Sequence, residues 1–232
     1  MNKIGILGYG EVGKAIAKFY KNPLIKDLKR DDGLEGIDIL HICIPWSKNF
    51  IKIVKAEIKK DKPKLTIIHS TVKIGTTKKI GGMVVHSPVK GFHPKLYKGI
   101  KIFVKYIGAD NKKAGQMAKR HLESLGLKVK VFYPSATTEA LKLWETTQSC
   151  WGIILQKKIK KWCDKKGLNF NTIYTEANKE FNRGYKKLGK ESDCLSYFKN
   201  MPGKIGGHCL IPNCQLLDSE VAKFILKENE NF

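Results

Sequence analysis

Apolar residues in the first part of the chain alternate between short runs and helical spacing. A short apolar run over residues 3–8 predicts a buried strand, and apolar positions from Val12 to Tyr20 predict the helix that follows it. Further strands are predicted at residues 24–28, 37–44, 65–69, 83–86, 101–107 and 128–133, and further helices at 50–60, after Gly75 and at 111–125. This alternation predicts an α/β fold with a doubly wound parallel sheet, which binds ligands at the carboxyl ends of its strands.

The pattern changes after residue 134. An apolar stripe of helical period over residues 137–166 predicts one long helix, followed by helical tracts at 171–187 and from Ser219 onward. We therefore expect a sheet domain at residues 1–134 and a helical, dimer-forming region at residues 135–232. Three tryptophans of the long helix, Trp144, Trp151 and Trp162, are the predicted homodimer face.

Charge, apolar runs and cysteine spacing argue against a nucleic-acid-binding, membrane-spanning or metal-binding protein. The 232 residues carry a formal net charge of +23, but the excess is lysine spread along the whole chain. Because readers of bases and phosphates favour arginine, nucleic acid is not the expected partner, although the charge would attract a small anionic substrate. The sequence has no apolar run long enough for a membrane span and no CxxC pairs, which predicts a cytoplasmic protein without a metal site.

The clearest motif is Gly8-Tyr9-Gly10-Glu11-Val12-Gly13, which follows the first strand and opens the first helix. In this GxGxxG pattern the first glycine permits a tight turn, the second admits a pyrophosphate and the third lets helix and strand pack closely. We therefore predict a Rossmann-type domain that binds NAD. The predicted cofactor-binding residues are Gly8, Tyr9, Gly10, Glu11, Val12, Gly13, Asp27, Pro45 and Ser70.

An acidic residue for the ribose hydroxyls is expected at the end of the second strand. Asp27 is the first choice, although it comes somewhat earlier than the usual spacing of about 20 residues after the glycines. Asp31 and Asp32 are the competing candidates.

Three further segments, taken with the glycine loop, resemble the UDP-glucose/GDP-mannose dehydrogenase family. Residues 69–77 resemble its STV-x-x-GTT segment, residues 139–143 its central-helix lysine motif, and residues 206–209 its GGxC loop. The similarity runs in order from about residue 2 to 218. The family's third domain, which grips the nucleotide of the sugar substrate, has no counterpart in this sequence, so we expect a shortened member.

The resemblance implies an NAD-dependent oxidation of a CH–OH group in a sugar or other small alcohol. Cys209 would be the nucleophile that attacks an aldehyde, Lys142 would stabilise the oxyanion, and Thr71 would orient water. Lys204 or His208 would help to form the Cys209 thiolate. The alternative for an isolated cysteine is simple burial, which the adjacent glycines argue against.

Departures from the family pattern support a second hypothesis. Thr146 stands where the family has an asparagine, Asn213 where it has an aspartate, and Val89 where it has a glutamate. Because these groups manage water and protons, hydride transfer would survive more readily than thioester hydrolysis, or the chain would be a non-catalytic dinucleotide-binding module. His86 or His93 would be the replacement acid or base, whereas a metal site at these two histidines is disfavoured by the lack of a third ligand.

Overall fold

The structure is a computed structural model that describes residues 2–190 and 193–232. Two compact units divide the chain, one up to Lys142 and the other from Leu143 to Phe232. The sequence suggests a boundary after Pro134, but the next eight residues or so belong to the first unit, because Thr138 and Glu139 form hydrogen bonds with residues of the sheet and its loops.

One sheet of eight strands forms the centre of the first unit, within the residues described. The strands are β1 Ile4–Leu7, β2 Leu24–Asp27, β3 Arg30–Asp31, β4 Ile39–Ile42, β5 Leu65–Ile68, β6 Val84–His86, β7 Lys105–Ala109 and β8 Val129–Phe132. Their order is β3-β2-β1-β4-β5-β6-β7-β8. Neighbouring strands are parallel except at β2/β3 and β6/β7, which are antiparallel. The chain leaves β1 towards β2 and returns on its other side as β4, so the carboxyl ends of β1 and β4 flank the switch point of the sheet.

Helices cover both faces of this sheet. Its helices are α1 Glu11–Ala17, α2 Phe50–Asp61, α3 Thr76–Ile80, α4 Leu96–Ile102 and α5 Lys112–Ser124. Buried residues of α1, α4 and α5 pack into one apolar cluster, and those of α2 and α3 pack into a second. A mostly parallel sheet between two helical layers confirms the predicted Rossmann-type α/β fold.

The strand predicted at residues 101–107 is wrong in its first half. Leu96 and Ile100, four residues apart, are both buried on one side of α4, which continues to Ile102. Gly99 lets this helix approach Gly91 so closely that a Cβ would lie 2.8 Å from the Gly91 Cα. The strand therefore begins at Lys105.

The second unit is helical, as predicted. The long helix α6 Ala136–Lys166 begins in the first unit and is followed by a π-helix at Asn171–Glu176, then α7 Ala177–Lys187, α8 Leu210–Leu216 and α9 Glu220–Asn229. The core of this unit joins residues of α6, α8 and α9, among them Ile154, Cys214 and Ile225. In the residues described, no helix combines the length and apolar character that crossing a membrane requires.

Candidate active site

The glycine loop between β1 and α1 has the geometry that its motif predicts. A Cβ on Gly8, whose φ is +95°, would lie 2.7 Å from the backbone nitrogen of Ile44, and one on Gly13 would lie 1.9 Å from the Gly8 carbonyl oxygen. In contrast, a Cβ on Gly10 would meet nothing within 4 Å. Two glycines are thus required by packing, and the exposed Gly10 faces open space where a ligand can approach the backbone.

Asp27 lies beside this loop at the end of β2. Its Oδ2 accepts a hydrogen bond of 2.5 Å from the Tyr9 backbone nitrogen, so the carboxylate lies directly against the glycine loop. Asp32 instead accepts hydrogen bonds from the Arg30 side chain and from the Ile25 backbone nitrogen, so it lies at the edge of the sheet. Asp31 accepts a hydrogen bond of 3.0 Å from the Gly33 backbone nitrogen, so of the three carboxylates Asp27 is the one with a hydrogen bond to the glycine loop.

The loops after β4 and β5 are joined by Ser70. Its hydroxyl donates a 2.6 Å hydrogen bond to the carbonyl oxygen of Ile44, and the side chain is buried. Pro45 is exposed on the next position of the β4 loop, and Thr71 is half-buried on the β5 loop. These predicted residues gather at the carboxyl ends of neighbouring strands, the edge that carries the glycine loop.

Glu139 links two of the sequence segments that carry the family resemblance. Its buried carboxylate accepts hydrogen bonds from the Gly75 backbone nitrogen, the Thr77 backbone nitrogen at 2.8 Å and the Thr77 hydroxyl at 2.7 Å. The first turns of α6 are thereby fixed to the start of α3. Lys142, three residues after Glu139, is half-buried, and its charge contributes to lowering the pKa of His86 and of Lys105, which puts it near the carboxyl ends of the strands.

The loop that carries Cys209 belongs to the second unit. Cys209 is exposed and immediately precedes α8. A Cβ on Gly206 or Gly207 would meet nothing within 4 Å, and Gly207 has a φ of +84° that favours glycine. The space around this thiol is therefore open to a small molecule.

Two contacts with the C-terminal helix hold this loop. Ile205 is buried, and its backbone exchanges hydrogen bonds of 2.6 and 3.2 Å with the side-chain amide of Asn229. Lys204, expected to assist the thiol, forms an ion pair with Glu230 instead. The predicted tail helix thus anchors the Cys209 loop.

Comparison with known proteins gives related dehydrogenases. UDP-N-acetyl-D-mannosamine dehydrogenase of Methanococcus vannielii is 31% identical over 157 residues, which cover 65% of this chain and 34% of the relative. The enzyme of the same name from Methanococcus maripaludis strain C7 is 29% identical over 196 residues, 79% of this chain and 40% of the relative. The chain is therefore similar in sequence to dehydrogenases that act on UDP-sugars, by the names of these relatives. The predicted resemblance is confirmed, although the chain spans less than half the length of these relatives and no protein-family model matches it.

Solved structures of dehydrogenases have the same fold. UDP-D-ManNAc dehydrogenase from Pyrococcus horikoshii superposes with a TM-score of 0.78 at 18% identity, covering 99% of this chain and 68% of that one. 3-Hydroxyisobutyrate dehydrogenase from Mycobacterium tuberculosis gives a TM-score of 0.69 at 13% identity, covering 100% of this chain and 94% of that one. At such low identity, these matches establish the fold alone.

The three residues that depart from the family pattern, Val89, Thr146 and Asn213, each pack or form a hydrogen bond within the protein. Val89 packs against the apolar cluster that contains α1 and α5. Thr146 donates a 2.9 Å hydrogen bond to the Leu143 carbonyl oxygen on its own helix. Asn213 is buried in α8. An ionised carboxylate at 89 or 213 would therefore meet a substantial desolvation cost.

The two histidines proposed as replacement acid or base differ in their surroundings. His86 is fully buried, with Nδ1 2.9 Å from the Thr138 hydroxyl and Nε2 3.1 Å from the Ser70 carbonyl oxygen, and burial lowers its pKa to about 3. Both ring nitrogens of His86 are held by groups of the protein, and the ring has no exposed surface for a substrate to contact. His93 is exposed and lies 2.8 Å from the Glu11 carboxylate at the edge of the glycine loop.

Within residues 2–190 and 193–232, no group of three His, Cys, Asp or Glu side chains is arranged to bind a metal ion.

A chain of buried polar side chains, which no local sequence pattern predicts, extends inward from the end of β6. The Lys105 ammonium donates to the carbonyl oxygens of Ser87 and Pro88 and lies 3.3 Å from Nδ1 of His69. Hydrogen bonds of 2.8 to 2.9 Å then continue through further aromatic side chains. The members, in order, are Lys105, His69, His41, Tyr20 and His121, and we call them the polar chain.

Burial shifts the titration of every member of the polar chain. Desolvation lowers the pKa of Lys105 from 10.5 to about 7 and that of His121 to about 4. It also lowers the pKa of His41 and His69 well below 6.5 and raises the pKa of Tyr20. Desolvation is the largest cause of each shift, since a charge in the apolar layer loses its hydration.

We predict that the protein loses stability on mild acidification. Four histidines (41, 69, 86 and 121) have folded-state pKa values below 6.5, so the unfolded chain binds protons near pH 6.5 that the folded chain does not. Their contribution is complete above pH 6.5 and declines below it, by up to about 1.4 kcal/mol per pH unit for each histidine. Urea unfolding at pH 7.5, 6.0 and 5.0 measures this slope.

His93→Gln is the comparison variant, because it removes an exposed histidine and keeps the four buried ones, so the loss of stability on acidification should persist. A free energy of unfolding that is flat between pH 6.5 and 5.0 would contradict the neutral, buried state of these histidines.

Proposed function

We propose that the first unit binds NAD on the glycine loop and that the chain is an oxidoreductase acting on a CH–OH group of a sugar or other small alcohol. The observation that carries this proposal is the contrast among the glycines. Gly8 and Gly13 are required by packing, but packing leaves Gly10 free, with open space beside it. A pyrophosphate approaching the backbone accounts for a glycine at this position.

The surrounding residues fit a dinucleotide. The Asp27 carboxylate at the end of β2 is in position to accept hydrogen bonds from ribose hydroxyls, and an acidic residue there disfavours the additional phosphate of NADP. A cavity of about 510 Å³ borders the loop and is lined by Tyr9, Lys14 and Arg30, among others. When bound, NAD supplies an acceptor for the hydride.

Three side chains would carry the proposed chemistry. In our proposal, the Lys142 ammonium stabilises the negative charge that develops on the substrate oxygen, and Thr71 orients a hydroxyl or water. The Cys209 thiolate adds to the carbonyl carbon of an aldehyde product, forming a carbon–sulfur bond and an oxyanion. Related UDP-N-acetyl-D-mannosamine dehydrogenases make a sugar nucleotide the first substrate class to test.

A second candidate function is a non-catalytic NAD-binding module. The observation that favours it is Asn213, whose buried amide cannot act as the carboxylate base that the family pattern provides. In this case NAD binds, but no alcohol supports reduction of NAD measured by absorbance at 340 nm.

The homodimer expected from the sequence stays a prediction. Trp144, Trp151 and Trp162 are 38, 46 and 51% exposed, and their spacing of seven and eleven residues aligns them along one side of α6. Sedimentation of the protein and of a Trp151→Lys variant will measure the oligomeric state.

Gly10→Val should abolish NAD binding while leaving stability nearly unchanged. The added side chain would enter open space that we assign to the pyrophosphate, and it meets no protein atom there. Titration calorimetry with NAD and chemical denaturation measure the two effects. The matched variant Gly13→Ala should instead lower stability by a few kcal/mol, because its Cβ would overlap the Gly8 carbonyl. Unchanged affinity in folded Gly10→Val would disprove the cofactor site.

Asp27→Ala should weaken NAD binding more than Asp31→Ala or Asp32→Ala. Asp27 contacts the glycine loop, whereas Asp32 forms an ion pair with Arg30 at the edge of the sheet. We expect about a 10-fold or greater loss for Asp27→Ala, in line with about 1.5 to 3 kcal/mol for hydrogen bonds to a charged group. If Asp31→Ala or Asp32→Ala weakened NAD binding more than Asp27→Ala, the ribose would bind near β3 and not at the end of β2.

Cys209 should react with iodoacetamide, and NAD should change its rate. Cys209 and Cys194 are exposed, whereas the other four cysteines are buried. Peptide mass spectrometry should therefore find label on these two residues first, with NAD altering the rate at Cys209 and leaving Cys194, the internal control, unchanged.

The Cys209→Ser variant then separates the possible reactions. If the thiol takes part in acid formation, this variant binds NAD but yields no acid. Given Thr146, Val89 and Asn213, we favour the alternative in which it still reduces NAD and releases an aldehyde or ketone. Equal rates at Cys209 with and without NAD would place this loop away from the cofactor.

A further inference from the structure

The polar chain crosses an otherwise apolar layer of the first unit. Lys105 begins β7, His69 follows β5 and His41 lies within β4, so three neighbouring parts of the sheet contribute. Tyr20 and His121 continue the chain into the helical layer, after α1 and within α5. Apolar residues would fill the same volume without any desolvation cost, so a chain of five polar groups requires an explanation.

The two ends of the polar chain differ in their exposure to solvent. His41 and His69 are 0 and 1% exposed, whereas His121 is 8% exposed and Tyr20 is half-buried and lines the cavity beside the glycine loop. The other end, Lys105, is held at the carboxyl end of β6 by the Ser87 and Pro88 carbonyl oxygens. The chain therefore runs from the ligand-binding edge of the sheet towards the surface.

Its hydrogen bonds can be satisfied in two opposite directions. With Lys105 charged, Lys105 donates to His69 Nδ1, and each member donates to the next as far as His121 Nε2. With Lys105 neutral, His121 Nε2 donates to Tyr20, and each member donates back towards His69, whose Nδ1–H can bind the Ser87 carbonyl oxygen. Both arrangements fill every contact with one proton, since each imidazole nitrogen and the phenol oxygen can either donate or accept.

We propose that the polar chain is a proton relay that carries the proton released on substrate oxidation from the carboxyl ends of the strands to His121. This inference rests on the proposed function. Oxidation of CH–OH to C=O sends a hydride to NAD and releases the hydroxyl proton. When the chain starts in the first arrangement, with His69 Nδ1 unprotonated, Lys105 takes up that proton, one transfer follows at each contact, and His121 releases a proton from Nδ1 to water. The chain finishes neutral with its hydrogen bonds reversed.

The charged and titratable groups around the polar chain act on the pKa values of its members. Lys142 on α6 and Cys43 after β4 face Lys105, and the Lys142 charge opposes a second positive charge there. Lys105, His41 and His86 act on His69, and His121 and Lys105 act on His41. Cys43 raises the pKa of Lys105, but the other neighbours are basic groups that lower the pKa values of the members they face, so a positive charge within the chain is disfavoured.

The first test uses the protein alone. In ¹⁵N-histidine spectra, the preferred tautomers of His41 and His69 should exchange between pH 6 and 8.5 as Lys105 titrates, and this change should vanish in Lys105→Met. Tautomers that stay fixed over this range in the unsubstituted protein would overturn the relay. This test requires no cofactor and holds whether or not NAD binds.

The second test measures proton transfer directly. Mixing the protein with NAD near pH 7 in weakly buffered phenol red should release a fraction of a proton, because the positively charged nicotinamide ring disfavours the Lys105 ammonium. Tyr20→Phe should keep the amplitude of this release but slow it at least 10-fold, since the phenol hydroxyl joins His41 to His121. Tyr133→Phe removes a phenol hydroxyl that lies outside both the chain and this cavity, next to Lys112, and should change neither quantity.

The outcomes separate the relay from the proposed function. NAD that binds without releasing a proton, or an equal release rate in Tyr20→Phe, would overturn the relay and leave NAD binding standing. Failure of the unsubstituted protein to bind NAD in calorimetry would overturn the proposed function, and the histidine spectra would still decide whether the chain reverses.

Discussion

The close approach of α1 to β1 is the constraint on which the first unit depends. Gly13 lies so near the Gly8 carbonyl that no side chain fits between them, and Gly8 in turn lies against the backbone of Ile44. This contact brings the turn after β1 against the loop after β4 at the switch point of the sheet. The loop after β5 joins the same edge through Ser70, so the candidate cofactor residues are positioned by backbone packing.

A second, polar constraint fixes the start of the long helix. Glu139 is buried and accepts three hydrogen bonds from the segment that contains Gly75 and Thr77. Loss of the carboxylate would leave buried backbone donors without a partner, at a cost of about 1 to 3 kcal/mol each. Lys142 is thus held near the strand ends by a residue that touches neither cofactor nor substrate in the proposed site.

Much of this arrangement could be predicted from the sequence, and the errors have specific physical causes. The glycine motif identified the turn because its three requirements are local. The helix α4 was missed because apolar residues at 96, 100, 102 and 104 suit either a helix or a strand, and only the contact of Gly99 with Gly91 decides between them. The antiparallel β6/β7 pair was missed because strand direction depends on the path of the connection. Glu139 and the polar chain are formed by residues far apart in sequence, which no local pattern reveals.

The energetic cost of Lys105 is the strongest argument that the polar chain has a role beyond packing. A pKa lowered from 10.5 to about 7 corresponds to roughly 5 kcal/mol against the buried ammonium, at about 1.4 kcal/mol per pKa unit. This is comparable to the whole stability of many domains, about 5 to 15 kcal/mol. Methionine or leucine at position 105 would remove this desolvation cost, at the loss of the hydrogen bonds to the Ser87 and Pro88 carbonyl oxygens. Lysine provides what those residues cannot, a buried group that exchanges a proton near neutral pH, and it does so at the end of a hydrogen-bonded chain that can accept that proton.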